Sequence, residues 1–533
     1  MGGFLSKIVV MKSLDRTAFS PLLQKARQVP VYWWQALGVL LLALGLRLLF
    51  LDLKPPHFDE GINGWFVDQM WRQGFYRYDP TNYHGPLYFY VLQLSELLGG
   101  RGIVALRLPT ALISTAIIAI VLLHGRWFGR AALWAGLALA VSPAMVFYGR
   151  YAIHESLFVC SQALFLYGFI RWRMEGGRYA VVCMAAGLVG SIATKETFFI
   201  FFGTWFIALG LVALLKRFFP ESAETAIAVR EPVTGRFVVT TVLVSLLCLL
   251  ALFSGFFANP PGIRDMVMAF APWVNTGIGD SSGHEKPFVY WLQLLARYEW
   301  PMLLTLLTMP LLLAGGSRWS WRLGATGFGL LLAYSLIPYK TPWLIIGILL
   351  PLGFAFGFLL ELARTRLKPP YTSLPTALGF VVLAASLTTA VRLNFKDYAD
   401  LTEPYVYVHT TTDVTRFMGH LEHLVEQQPA ARNVSLLVLI NNPWPLPWLL
   451  GRYPGLAYGT VDSAADITAD VVLVEQSGQA KVESAMRTAY IRLPLRVRDA
   501  AEDGWVYYRL DRFREVILPG IEIIAPVSSV VPQ

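Results

Sequence analysis

Repetition is what most constrains this chain: apolar runs of bilayer-spanning length, or nearly so, recur from Trp33 to Val391. A span needs roughly 20 apolar residues. By that measure about eleven runs qualify, at 33–51, 103–123, 131–148, 156–171, 179–194, 197–215, 238–257, 290–314, 323–337, 343–361 and 374–391. Of the 533 residues, 55% are hydrophobic and 15% charged, whereas a soluble globular chain carries about 25% charged residues. The expected fold class is therefore a polytopic α-helical membrane protein. The segment Leu87–Leu98 is too short to span and is expected to lie in the interface as an amphipathic piece. No internal or inverted repeat is visible.

The net charge of +9 sits mostly in short hydrophilic breaks, which suits a topology signal better than nucleic-acid binding. Lys7, Lys12, Arg16, Lys25 and Arg27 precede the first apolar run, with no small-residue cleavage site to mark a removable signal. With that end cytoplasmic, the inside breaks hold Arg126 and Arg130, Arg171, Arg173 and Arg178, Lys216, Arg217, Arg230 and Arg236, Arg318 and Arg322, and Arg364, Arg366 and Lys368. The positive-inside rule then predicts an odd number of spans. A cytoplasmic segment 1–32 leads into a membrane domain 33–393 with outward loops 52–102 and 258–289. The domain at 394–533 is expected to be extracytoplasmic, on the same side as those loops. The cysteines, Cys160, Cys183 and Cys248, fall inside apolar runs and read as packing residues.

One outward stretch, HFDEGINGWFVDQMWRQGFYRYDPTNYHGP (57–86), carries far more chemistry than a linker needs. Asp59 and Glu60 follow the first apolar run within a few residues. Neighbours diverge by about 100° on a helix and about 180° on a strand, so only one of them can face a given centre. A carboxylate here can accept a proton from a hydroxyl, and Asp59 is the favoured base. Glu60 is its candidate partner, holding a substrate hydroxyl or a metal. His57 and His84 bracket the stretch as sugar, phosphate or metal contacts, or as turn residues. A divalent ion is left open, with Glu60 and His84 as ligand candidates. Trp65, Trp71, Tyr76, Tyr78 and Tyr83 read equally as an interfacial belt or as sugar-stacking surfaces.

Four other outward breaks hold polar residues at membrane depth: GRYAIHES (149–156), ATKET (193–197), the loop 259–287 ending GHEKP, and PYKTPW (338–343). Charges there are costly unless paired or used. Arg150, Lys195 and Lys340 are candidate phosphate contacts, set against snorkelling for Arg150 and mutual neutralisation with Glu196 for Lys195. His154, Glu155, His284 and Tyr339 are candidate substrate contacts, and the loop ending at His284, Glu285 and Lys286 has the length of a lid. Beyond Asn394, β-branched runs at Val434–Ile440, Val471–Glu475 and Trp505–Leu510 alternate with helix-like stretches at Thr412–Gln427 and Lys481–Tyr490. That pattern predicts a small α/β domain with some parallel pairing. It has no Gly-rich phosphate fingerprint.

These motifs, in this order, resemble the GT-C glycosyltransferases, which include protein O-mannosyltransferases and lipid A aminoarabinose transferases. The chain is most similar to the flippase-activity-associated glycosyltransferase-like proteins of archaea and bacteria. The resemblance rests on HFDEGINGW, YDPTNYHGPLYFY, FYGRYAIHES, ATKET, YKTPW, PYVYVHTTTDV (404–414) and PWPLPWLL (443–450), and covers nearly the whole chain. It implies a polyprenyl-phosphate sugar donor, an outward-facing site at the cytoplasmic membrane and inverting transfer to a glycan, lipid or protein acceptor. It also implies Asp59 as base or acceptor-positioning group, Glu60 as a less certain partner, and Arg150, Lys195 and Lys340 as donor-phosphate contacts. Two alternatives stand beside it: a transporter or flippase for lipid-linked sugars, and a non-catalytic partner in glycan assembly. A transporter is expected to place polar groups near mid-span and often to repeat its halves; here charge gathers at one face.

Overall fold

Proline decides where the apolar runs become one helix and where they break. The computed structural model describes residues 30–215, 230–278, 283–498, 501–514 and 522–524. The expected inside cations Lys7, Lys12, Arg16, Lys25, Arg27, Lys216 and Arg217 lie outside the described residues, as does part of the loop 258–289. The first helices are α1 (Val31–Leu48), α2 (Phe58–Gln73), α3 (Leu87–Gly99) and α4 (Ile103–Leu123). The run expected at 131–148 is split into α5 (Arg130–Val141) and α6 (Pro143–Tyr148). Continuous helices follow as α7 (Glu155–Met174), α8 (Arg178–Ile192), α9 (Phe198–Leu215) and α10 (Gly235–Phe253). The run expected at 290–314 is broken into α11 (Tyr290–Tyr298), α12 (Trp300–Leu307) and α13 (Met309–Gly315). Last in the bundle come α14 (Arg318–Leu336), α15 (Ile345–Arg366) and α16 (Leu374–Phe395).

Pro143, Pro301 and Pro310 each sit in the first turn of the helix that follows a break, where a missing N–H costs no helical bond. The first two breaks satisfy one another. Glu299, fully buried between α11 and α12, accepts from Ser142 Oγ and from the Ala144 amide at the start of α6, both at 2.7 Å. A helix end at membrane depth needs such a partner.

Among the described residues, six helices are long and apolar enough to cross a membrane, with Arg130–Val141 and Arg178–Ile192 as shorter apolar helices. The chain is a multi-pass membrane protein. Helix α15 is the most enclosed of these six, whereas α10 is almost wholly exposed to the surroundings that lipid would fill. The segment expected in the interface is the amphipathic α3, which buries Tyr88, Phe89 and Leu92 and exposes Leu94, Leu97 and Leu98.

The C-terminal region opens with α17 (Thr412–Gln427) and forms one six-stranded sheet of β1 (Ser435–Leu439), β2 (Gly455–Tyr458), β3 (Val471–Glu475), β4 (Tyr490–Arg496), β5 (Asp503–Arg509) and β6 (Glu522–Ile524). Its order is β2-β1-β3-β5-β4-β6, parallel across β2-β1-β3 and antiparallel beyond. Alternation along β3 sends Val471 and Leu473 toward α17, and Val472 and Val474 toward Val482 and Met486. The helix expected over Lys481–Tyr490 stops at Ala485, and Tyr490 instead opens β4. Pro494 lies in that strand beyond its three-residue pairing with β6, a strand position at which no ladder donor is needed.

This domain is docked tightly on α2. A Cβ at Gly61 would collide with Pro445, and one at Gly64 would meet the indole of Trp448 at 2.5 Å. Only glycine lets these backbones approach so closely. Arg101 closes the joint by pairing with Asp68 at 2.9 Å and donating to the Trp448 carbonyl. At the foot of the domain, Glu403 takes Arg297 and Arg392, each at 3.0 Å.

Candidate functional site

Asp59 and Glu60 are separated by the first turn of α2. The His57 side chain accepts from the Asp59 amide at 3.0 Å, and the Glu60 carboxylate accepts from the His57 amide at 2.8 Å. This reciprocal cap fixes the helix start. It leaves Asp59 on the wall of a cavity of about 670 Å³, one-third exposed, while Glu60 is fully buried away from it. Arg107 grips Glu60 with two bonds of 2.7 Å, and the Ala152 amide adds a third contact at 2.8 Å. The same guanidinium binds the carbonyls of Leu51, Lys54 and Pro55. Glu60 therefore ties the start of α2 to α4 and to the GRYAIHES segment. Its oxygens are already taken by these donors.

Seven further residues singled out in the sequence line the same cavity: Tyr83, His84, His154, Glu155, Lys195, His284 and Tyr339. Two local devices bring them together. The HGP turn is pinned to ATKET by Gly85 N–H to the Thr194 carbonyl at 3.1 Å and Leu87 N–H to the Ala193 carbonyl at 2.9 Å. A Cβ at Gly85 would strike the Ala193 carbonyl. GHEKP and PYKTPW are joined by a bridge between Glu285 and Tyr339, with Lys286 N–H on the Pro338 carbonyl and Lys340 N–H on that of His284.

The charges on the wall are ordered in pairs. Lys195 bonds Glu155, and His84 Nδ1 lies 3.0 Å from Glu196 Oε2. The rings of His84 and His154 are 4.6 Å apart. Burial pulls the Lys195 ammonium down, but Glu155 and Glu196 more than offset it and hold its pKa above the usual lysine value. Burial pushes the Glu196 carboxyl up, yet His84 and Lys195 bring it below its ordinary value. His154 is held well below the usual histidine range by burial, and by His84 and Lys195 beside it. His284 Nδ1 meets the Tyr407 hydroxyl at 2.7 Å, and burial lowers its pKa against the opposing pull of Asp59. Trp273, Tyr339, Trp343 and Tyr407 give the wall flat aromatic faces of the kind that pack against sugar rings.

Besides Glu60, three sequence candidates stand off the cavity, each for a visible reason. Arg150 is buried and binds the Leu46, Arg47, Leu49 and Phe50 carbonyls at 2.6–3.3 Å, closing the open end of α1 rather than facing a phosphate. Lys340 is buried, with its ammonium on the carbonyls of Lys286, Ile337 and Pro338. His57 lies behind the wall, its Nε2 at 3.0 Å from the Tyr407 carbonyl and its ring 4.6 Å from that of His409. Of the two suggested metal ligands, Glu60 is engaged by Arg107 and His84 by Glu196. Among the described residues no group of three or more His, Cys, Asp or Glu stands in a metal-holding arrangement.

The aromatics of the 57–86 stretch divide. Tyr83 lines the main cavity, whereas Trp65, Tyr76 and Tyr78 line a smaller groove of about 340 Å³, and the half-exposed Trp71 donates to Glu96. Sequence reasoning missed the cavity residues Tyr334, Trp343, Tyr407, Asn442 and Arg498. Tyr407 was within reach, since it sits in the quoted PYVYVHTTTDV motif. Nothing in the local sequence marks Arg498.

Residues 83–230 match the family model described as dolichyl-phosphate-mannose-protein mannosyltransferase. That stretch contains Tyr83, His84, His154, Glu155 and Lys195. No curated protein sequence matches the chain. The fold is similar to the crystal structure of ArnT from Cupriavidus metallidurans bound to undecaprenyl phosphate, with TM-score 0.58 and 15% identity over 92% of this chain and 99% of that one. ArnT from the same organism in the apo state superposes with TM-score 0.57 and 14% identity over 92% and 98% of the two chains. The match covers nearly all of this chain, so the shared GT-C fold takes in much of the C-terminal sheet domain as well as the helical membrane domain. Together with the partial family match, it supports a membrane glycosyltransferase of the GT-C superfamily.

Proposed function

We propose that this protein transfers a sugar from a polyprenyl-phosphate carrier to an acceptor hydroxyl at the outer face of the cytoplasmic membrane. One observation carries the reading: Asp59, a carboxylate on a rigidly capped helix start, faces the same aromatic-walled cavity as the paired cation Lys195. The fold supports it, because the similar ArnT structure holds undecaprenyl phosphate. The excess of arginine and lysine in the alternate breaks supports the outward orientation.

In this reading Asp59 accepts the proton of the acceptor hydroxyl. That oxygen attacks the anomeric carbon from the face opposite the phosphate. The carbon–oxygen bond to the carrier breaks with its electron pair passing to a phosphate oxygen, so configuration inverts and polyprenyl phosphate leaves. Phosphate is a good leaving group, so the wall has to orient the two substrates and offset charge on the departing oxygen. Lys195 supplies positive charge, while Glu155 and Glu196 fix where its ammonium sits. His84, His154 and the aromatic faces hold the sugar. Arg150, Lys340 and Glu60 have scaffolding roles.

The test is release of polyprenyl phosphate from a panel of polyprenyl-phospho-sugars, using purified protein in liposomes with an envelope acceptor fraction. Wild-type release that falls by about a hundredfold or more in Asp59→Asn is expected. Equal release from both removes Asp59 as base. No release with any donor removes the transferase reading.

A further inference from the structure

The smaller groove of about 340 Å³ has no part in the reactions above, yet it is built from the same chain segments as the main cavity. Three segments run from one to the other. Along α2, Asp59 and Asn63 line the cavity, and Trp65, Gln69 and Gln73 line the groove. In the loop after α2 the order is reversed, with Arg77 and Asp79 on the groove and Thr81 and Tyr83 on the cavity. From the short helices Gly262–Met268 and Phe270–Ile278, Asp265 reaches the groove, while Trp273 and Val274 reach the cavity.

The partition between them is one hydrogen-bonded turn. Asp79 Oδ1 accepts from the Thr81 amide at 2.8 Å and from its hydroxyl at 2.7 Å. Tyr83 N–H donates to the Asp79 carbonyl at 3.2 Å, and the Tyr78 hydroxyl donates to the Tyr83 carbonyl at 3.1 Å. Residues of the groove therefore stand within hydrogen-bond distance of residues of the cavity. A molecule held in one lies beside whatever occupies the other.

The lining has the two properties that a sugar ring requires. Its aromatic faces are rigid. Tyr76 is buried and stacks on Phe89 at 4.4 Å, Tyr78 is buried edge-on to Phe253 at 5.1 Å, and Trp65 is braced by Phe66 and Trp444, whose ring planes lie at 74° and 83° to its own. Beside them are two amides one turn apart, Gln69 and Gln73, the carboxylates of Asp79 and Asp265, and the Arg77 guanidinium. A sugar presents an apolar ring face and, around its edge, hydroxyls that each donate and accept, so aromatic planes flanked by amides and carboxylates match both parts. The volume lies at the low end of small-ligand pockets, about 300–1,000 Å³.

We infer that the groove is an acceptor subsite that holds a sugar ring set back from the reacting hydroxyl, so that the acceptor is a glycan of two or more sugars. The inference rests on the transferase reading for what enters the main cavity, not for which residue is the base or which sugar is transferred.

The experiment is binding of full-length protein in nanodiscs to an array of neutral oligosaccharides of one to six units, with Ser- and Thr-rich peptides on the same array and undecaprenyl phosphate as a separate probe. Wild type, Trp65→Ala and the double variant Gln69→Ala/Gln73→Ala are compared, with thermal unfolding as the check that each is folded. Wild type should bind its preferred oligosaccharide at least about tenfold more tightly than the corresponding monosaccharide. Each variant should lower that affinity by about tenfold and leave the affinity for undecaprenyl phosphate unchanged. No binding of wild type to any oligosaccharide, binding to peptides in place of oligosaccharides, or oligosaccharide affinity untouched by the variants overturns the inference. Loss of undecaprenyl phosphate affinity in the variants overturns it as well, by making the groove part of the carrier site. If wild type binds no undecaprenyl phosphate, the carrier reading fails, and the oligosaccharide arm alone then decides for or against the groove. Should Trp65→Ala not fold, the double variant decides, since neither glutamine is buried.

Discussion

Two polar layers lie within a few residues of one another and behave oppositely. On the cavity wall, Asp59, Glu155, Lys195, His84 and Glu196 face open volume. Beneath it, Glu60, Arg107, Arg150 and Lys340 are buried and spend their hydrogen bonds on one another or on backbone carbonyls. Side chains of the same type, at the same membrane depth, are scaffold in one layer and candidate chemistry in the other. What separates them is not charge but whether they line the cavity. A buried ion matched by bidentate bonds costs heavily to break and does nothing for a ligand.

The sharpest way to break this contrast is to neutralise the two adjacent acids separately. Asp59→Asn should cut polyprenyl phosphate release by about a hundredfold or more and leave the unfolding temperature near wild type. Glu60→Gln should do the reverse in kind. Leaving Arg107 buried without its carboxylate should cost about 3–5 kcal/mol of stability, read as a lowered midpoint in detergent or lipid. If Glu60→Gln were as stable as wild type but inactive, the two layers would have to be exchanged.

A second comparison sets Lys195 against Lys340. Lys195→Met should raise the KM for the lipid-linked donor, as expected of a group that touches substrate. Lys340→Met should leave KM unchanged and instead loosen the join between GHEKP and PYKTPW, detectable as faster hydrogen exchange at Lys286 and Lys340. A third concerns the joint under the wall. Gly64→Val should drive a side chain into Trp448 and cost about 1–3 kcal/mol, with easier proteolytic release of the C-terminal domain.

The smallest effect expected is one of pH. The Glu196 carboxyl is held below its ordinary value, so the folded state binds its proton less readily than the unfolded chain. Its contribution to stability is therefore present above the unfolded carboxylate value of about 4.3 and is lost as pH falls through the folded value. Glu196→Gln should flatten that acid limb of a plot of unfolding midpoint against pH.

Much of the architecture was legible because period and length are robust signals. The apolar runs from 33 to 391 became helices close to their expected bounds, and β1, β3 and β5 were marked by their β-branched runs. The breaks at Ser142 and Glu299 were not foreseen, because hydropathy averages over the prolines that cause them. The YIRLPLR strand was hidden by its own proline. In the candidate site, Asp59, His84, Glu155 and Lys195 announced themselves as polar residues at membrane depth. Arg150 and Lys340 gave the same signal, since sequence reports that a cation is buried and not what satisfies it. Arg498 gave no signal at all, because its place on the wall depends on how a separate sheet domain docks on α2.

That docking has a consequence in time. Asp59 is made well before the proline and tryptophan that seat against Gly61 and Gly64. Until Pro445 and Trp448 have been added, the helix that carries Asp59 lacks the surface it packs against in the finished fold. Only when the sheet domain has been made and folded does α2 acquire its final bearing surface.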